Sequence, residues 1–241
     1  MTVHVLLGAG GSGSRMKNSM NKSFLLLEGK PLIAHSLLKF QHHPEISSII
    51  VMVHKEWVNE LMTWVNRLGI TKIKRVVEGG KERQDSVRIG LETLSQLHPK
   101  EDDIVLVHNA ANPLLTDGLI SECIRAAQLH RASVAGYRVK DTLKRVGDDG
   151  HILETLERKE WWGMQTPQCI EYALFVRAHA QALKEGFYGT DDVQLVERLK
   201  IRPMVVDGGY ENLKITTPED LLVAERILQK RRESEFPTQN T

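Results

Sequence analysis

Apolar residues in this chain fall into short unbroken runs, and between the runs they recur every three or four positions. The first run, Val3–Leu7, predicts a strand, and a long glycine-rich, basic segment follows it. Pro31 then opens a helix through Phe40, because proline's fixed φ suits a first helical turn. Further runs predict strands at Ser47–Val53, Lys72–Val77, Asp103–Val107 and Ala132–Val139. The helical period predicts helices over Lys55–Leu68, Glu82–Leu97 and Asp117–His130, with Val87, Leu91 and Leu94 sharing one face. Strands apolar on both sides and alternating with helices imply an α/β domain whose mostly parallel sheet is covered on both faces.

One segment departs from this rhythm. From Val139 to Arg158 the pattern is two alternating strands around an Asp149-Gly150 turn. Such a ribbon is too small to be stable alone, so its apolar side needs cover from its own domain or from a second copy of the chain. The expected organisation is one domain over residues 1–230, which includes the 139–160 ribbon, followed by a flexible polar tail over 231–241.

Composition narrows the class. The 241 residues are 41% hydrophobic and 26% charged, enough for a sizeable core and a soluble surface. A formal net charge of +1 argues against a whole-protein grip on nucleic acid or an anionic membrane, though not against a local basic pocket. Two cysteines make neither a disulfide framework nor a metal-ligand cluster. The start of the chain reads as neither a basic leader nor a cleavable apolar segment. No stretch approaches the roughly 18 apolar residues of a membrane span. These readings point to a cytoplasmic protein.

The glycine segment carries the first chemistry. Gly8-Ala9-Gly10-Gly11-Ser12-Gly13 matches the dinucleotide fingerprint, with Glu28 near the expected distance, so an NAD(P)-dependent oxidoreductase competes here. That motif needs a helix directly after the loop to hold the pyrophosphate. The continuation, Ser14 to Lys22, has no apolar stripe to pack on a sheet, and Glu28 ends its own short run, Phe24–Leu27. The Gly-Lys-Ser/Thr ending of a Walker loop is missing as well. What remains is a flexible backbone with two cations, Arg15 and Lys22. Glycines let backbone N–H groups approach phosphate, and the cations can neutralise charge on a triphosphate under attack. A solvated basic surface loop is the plainer alternative.

These residues, taken with others further along, resemble the 2-C-methyl-D-erythritol 4-phosphate cytidylyltransferases and the related enzymes that use ribitol 5-phosphate. The landmarks fall in order: Gly10–Met16 with Asn21–Leu25, Gly79–Val87, Val107–Pro113, Val139–Arg145, Gln165–Gln168, Gly189–Asp192 and Asn212–Asp220. The resemblance spans Val3 to Leu228. It implies a Rossmann-like nucleotidyltransferase fold with a mostly parallel sheet and a protruding β-hairpin dimerisation arm.

It also implies the roles. An acceptor phosphate oxygen attacks the α-phosphorus of CTP, and pyrophosphate leaves with Mg²⁺, which is bound mainly through the nucleotide phosphates. Arg15, Lys22 and Lys214 match the charge stabilisers. Ala9, Gly10, Gly11, Gly13, Gly80, Lys81 and Ser86 match the nucleotide pocket. Thr142, Arg158 and Thr166, with positions 109 and 112, match the acceptor site. Thr142 and Arg158 would serve the partner's site in a homodimer. No residue is assigned as a metal ligand. Asp191 and Asp192 read better as helix-start carboxylates beside a Thr190 cap than as ligands.

The chain departs from the family at its start, where Gly8-Ala9-Gly10-Gly11 stands for Pro-Ala-Ala-Gly and keeps small residues, and at two further positions. Asn109 replaces an Asp and Asn112 an Arg, which removes charge where the acceptor is held. The motifs around Val139–Arg145 and Gly186–Asp192 favour methylerythritol phosphate as the acceptor. A pentitol phosphate and a non-catalytic nucleotide-binding regulator are the alternatives.

Overall fold

The computed structural model describes residues 1–10 and 21–235. Gly11, Gly13 and Arg15 therefore lie outside the described residues. In chain order the elements are β1 (Val3–Gly8), β2 (Leu26–Leu27), β3 (Lys30–Pro31), α1 (Leu32–His42), β4 (Ile46–Val53), α2 (Val58–Arg67), β5 (Ile73–Glu78) and α3 (Arg83–Ser95). They continue with β6 (Ile104–Asn109), α4 (Asp117–His130), β7 (Ala132–Arg138), β8 (Lys144–Val146), β9 (Ile152–Thr155) and β10 (Trp162–Glu171). Then come α5 (Tyr172–Glu185), α6 (Val193–Glu197), β11 (Met204–Asp207) and α7 (Pro218–Glu235).

Successive strand residues point to opposite faces, and both faces are apolar. In β1, Val3, Val5 and Leu7 join one core while Leu6 joins the other. In β6, Ile104 and Leu106 face the first core and Val105 and Val107 the second. Helices α1, α2 and α4 cover the first face with Leu37, Phe40, Leu61 and Ile120. Helices α3 and α5 cover the second with Leu91, Leu94, Leu174 and Phe175. Gly90 is required for this packing, since a Cβ there would come within 2.7 Å of the Met52 sulfur. The sheet has seven strands in the order β11–β7–β10–β6–β1–β4–β5.

The run of parallel strands expected from the sequence is present, with one interruption. Strand β10 lies between β6 and β7 and is antiparallel to both. It was not anticipated, and neither were β11, α5 and α7, while α6 starts beside Asp192, where the sequence implies a helix start. The 139–158 segment forms a hairpin, but a short one: β8 pairs with β9 in a separate two-stranded sheet, with Gly150 at φ 83 in the turn. The tail differs most from expectation. Helix α7 runs to Glu235, and Arg231 and Arg232 inside the supposed tail pair with Glu211 and Glu28. Helical continuation from Pro218 overrode a composition that reads as disordered.

Candidate active site

Strands β1, β4 and β6 all end at one edge of the sheet, with Gly8 opposite Asn109 on one side and Met52 on the other. Ligands gather at such carboxyl ends, where the order of strands reverses. Ala9 is buried and donates its N–H to the Met52 carbonyl at 2.8 Å. Asn21 returns the chain to the same place. Its Nδ2 donates to the Ala9 carbonyl at 2.7 Å, and its Oδ1 accepts from Ser23 N at 3.0 Å. The two ends of the glycine segment are thus tied together, and Lys22 opens a short 3-10 helix beside them. Its Nζ donates to the Thr216 carbonyl at 3.4 Å.

Lys214 is exposed and approaches from the other end of the chain. Its segment is fixed by Ile215, whose N–H donates to the Ala111 carbonyl at 2.8 Å. Asp220 accepts from the Thr216 N–H and hydroxyl, each at 2.7 Å, and from Thr217 N at 2.8 Å. Burial alone would raise the Asp220 carboxyl, but these hydrogen bonds hold it below the usual range. A satellite apolar cluster of Leu27, Leu32, Leu114, Ile215 and Ala224 joins the segment after Lys22 to the one carrying Lys214.

The turn between β5 and α3 supplies Gly80, Lys81 and Ser86. Ser86 Oγ accepts from Gly80 N at 3.0 Å and donates to the Glu82 carbonyl at 3.1 Å, so it shapes the turn directly. A Cβ on Gly80 would lie 2.3 Å from that of Asp85, which leaves glycine as the residue that fits.

Two cavities meet at this edge. One, of about 370 Å³, is lined by Gly10, Lys22, Gly80, Lys81 and Ser86. The other, of about 470 Å³, is lined by Asn112, Thr166, Gln168, Tyr210 and Asn212, among others. Among the described residues, Arg83, Asn109 and Lys214 line both. Thr142 and Arg158 line neither. Both are exposed at the base of the hairpin, where Arg158 Nη1 donates to the Lys140 carbonyl at 2.8 Å. The sequence-assigned acceptor set is therefore divided within one protomer, with Asn109, Asn112 and Thr166 together and the other two apart.

Arg83 had no assigned role. It makes a bidentate pair with Asp192, at 2.8 Å and 2.5 Å, with the Asp192 side chain 1% exposed and the Arg83 side chain 35%. Gln168 Oε1 in turn accepts from Asp192 N and Val193 N at 2.9 Å and 3.1 Å. Asp192 stands at the N-cap of α6, a helix-start carboxylate as expected, but it is buried and paired, and Asp191 rather than Thr190 accepts from Gln194 N at 3.0 Å. An Arg directly after a glycine turn, with an Asp pair elsewhere in the chain, was the available signal. Breaking a fully buried pair costs about 3–5 kcal/mol, and partial exposure of Arg83 reduces this. Asp192→Ala is therefore expected to lower stability by about 2 kcal/mol. An unchanged urea midpoint would contradict this account of the pair.

The dinucleotide alternative fails on geometry. Glu28 follows the two-residue strand β2, which pairs antiparallel with β3 outside the seven-stranded sheet, and it has φ 49 and pairs with Arg232.

Comparison with known proteins then decides the family. Residues 3–230 match the family model described as IspD, 2-C-methyl-D-erythritol 4-phosphate cytidylyltransferase. The chain belongs to this family. A cytidylyltransferase of that description from Halalkalibacterium halodurans is 41% identical over 231 residues, covering 96% of this chain and 99% of the relative. One from Syntrophus aciditrophicus is 42% identical over 229 residues, covering 95% and 96%. Among solved structures, the 4-diphosphocytidyl-2C-methyl-D-erythritol synthase of Anaerococcus prevotii superposes with a TM-score of 0.82 at 28% identity, covering 95% of this chain and 96% of that one. As a member of the cytidylyltransferase family, the chain is a nucleotidyltransferase enzyme with that family's mostly parallel fold. No helix among the described residues is long and apolar enough to cross a membrane.

Proposed function

We propose that this chain transfers CMP from CTP to 2-C-methyl-D-erythritol 4-phosphate, releasing pyrophosphate, in the cytoplasm as a step of isoprenoid precursor synthesis. The observation that carries this reading is the meeting of two cavities at Lys214, Asn109 and Arg83. Transfer between two substrates needs two pockets that open on one reacting atom. The glycine-lined cavity takes CTP, with Lys22 at its phosphates and the Gly79–Gly80 turn and Ser86 at the base. The other cavity takes the acceptor. An acceptor phosphate oxygen forms a bond to the α-phosphorus as the bond to the β,γ-pyrophosphate breaks. Lys22, Lys214 and Arg15 donate to oxygens on which charge builds in that step.

Among the described residues no cluster of three His, Cys, Asp or Glu side chains could hold a metal ion. Lysines, hydroxyls and amides along the CTP cavity fit Mg²⁺ that arrives on the nucleotide phosphates, since Mg²⁺ keeps several waters and substrate oxygens. When bound it neutralises the departing pyrophosphate. The hairpin exposes Val146, Ile152 and Leu153, beside exposed Trp161. Cover for these side chains is the support for a homodimer in which Thr142 and Arg158 complete the partner's acceptor cavity.

A pentitol phosphate is the second reading, favoured by Asn112. Its side chain is buried, and its Oδ1 has no hydrogen-bond partner, where the family's motif carries a cation. The test is pyrophosphate release with CTP, Mg²⁺ and, separately, methylerythritol phosphate, ribitol 5-phosphate and other polyol phosphates. Turnover fastest with the first is expected. Turnover with a pentitol phosphate alone would move the assignment to that class, and CTP binding without release would leave a nucleotide-binding regulator.

A further inference from the structure

His108, next to last in β6, is fully enclosed, with Phe40 edge-on at 5.4 Å, yet both ring nitrogens are hydrogen-bonded. Nε2 lies 3.0 Å from the Asn112 carbonyl oxygen. A carbonyl only accepts, so Nε2 carries the proton. Burial pushes the ring's pKa down to about 4, which leaves it neutral and Nδ1 bare. Nδ1 lies 2.9 Å from the Thr166 hydroxyl, and a bare ring nitrogen accepts. Thr166 therefore commits its proton to His108. Its oxygen keeps lone pairs, one of which faces the Asn109 N–H at 3.5 Å.

The neighbouring amide has the same polarity. Asn212 Nδ2 donates to Gln165 Oε1 at 3.1 Å and to the Thr166 carbonyl at 2.8 Å, while its Oδ1 has no protein partner. Thr166 thus gives the cavity an accepting wall, and Lys214 and Arg83 are the cations that line it.

We propose that His108 is a positioning residue that sets the hydrogen-bonding polarity of the acceptor cavity. By holding the Thr166 proton, it leaves that wall able to accept from a ligand hydroxyl and unable to donate to a phosphate. The acceptor's polyol end then lies against Thr166, and its phosphate lies at the Lys214 edge, where attack on CTP occurs. This rests on the acceptor-cavity assignment made above.

The experiment uses the acceptor that the wild-type enzyme turns over, with analogues in which one hydroxyl at a time is replaced by hydrogen or by fluorine. Fluorine accepts weakly and cannot donate. For one hydroxyl position, both replacements should raise the wild-type KM for the acceptor about tenfold, with KM for CTP unchanged. In Thr166→Val both penalties should disappear, and in Thr166→Ser both should persist. In His108→Phe, which has no acceptor and keeps a ring against Phe40, the freed Thr166 hydroxyl can donate, so the fluorine penalty should shrink while the hydrogen penalty remains. A packing role for His108 would not separate the two analogues. If His108→Phe does not fold, the wild-type comparison decides: a fluorine penalty clearly smaller than the hydrogen penalty would mean that Thr166 donates, and overturns the inference. Wild-type turnover of the parent acceptor with no such hydroxyl position overturns the inference alone. No turnover of any polyol phosphate overturns the assignment beneath it as well.

Discussion

Lys214→Ala is expected to lower kcat by about 10²–10³, the usual loss when one donor to developing charge is removed. Lys214 lines both cavities, and in the proposed reaction these hold acceptor and nucleotide, which puts its ammonium beside the transferred phosphoryl group. Its side chain is exposed, and Ile215 and Asp220 hold its segment. KM for CTP should change far less than kcat, because the interaction strengthens as charge builds on the α-phosphate. Steady-state pyrophosphate release distinguishes the outcomes. A rise confined to KM would reduce Lys214 to a ground-state binder.

Acid should unfold the protein earlier than its carboxylates alone would suggest. His108 and His179 are both buried, and burial pushes each pKa down from 6.5 to about 4. The unfolded chain takes up protons at these two residues below pH 6.5, and the folded chain does so only near pH 4. Between those values the unfolded state binds more protons, so stability is complete above pH 6.5 and falls as the pH falls. Each histidine contributes a loss of about 3 kcal/mol across that window. Together this is a large part of the roughly 5–15 kcal/mol that holds a typical domain. Urea titrations at pH 7.5, 6, 5 and 4.5 should show the midpoint dropping steadily. A flat midpoint to pH 5 would mean that one or both rings charge in place. His179→Phe, which preserves the edge contact with Phe175, should halve the slope.

What was legible in the sequence follows from how local the information is. Strand β1 and helices α1, α3 and α4 announce themselves through period and caps, and they lie where expected. Strand β10 does not, because its antiparallel place between β6 and β7 is a choice of tertiary pairing that no local pattern carries. The extension of α7 was hidden in the same way: Arg231 and Arg232 read as a solvated run, and their partners Glu211 and Glu28 are far away in the chain. Motif resemblance singled out Lys22, Gly80, Ser86, Asn109, Thr166 and Lys214, and the fold brings them to the two cavities at one edge. It passed over Arg83, whose importance arises from a pair with Asp192 across 109 positions. His108 was missed too, because an enclosed ring in a strand looks like core until its two partners are known.

The registry of β1 also makes the site indivisible. Gly8 stands opposite Asn109 and Met52 because Val5 and Leu7 belong to one core and Leu6 to the other. A slip by one residue would move the mouth of the glycine segment by about 3.3 Å and exchange the two sets between the cores. A slip by two would restore the cores but carry the mouth roughly 7 Å from its partners. The distance between the two pockets is thus quantised by the pleat, and intermediate, partly active alignments have no place in this sheet.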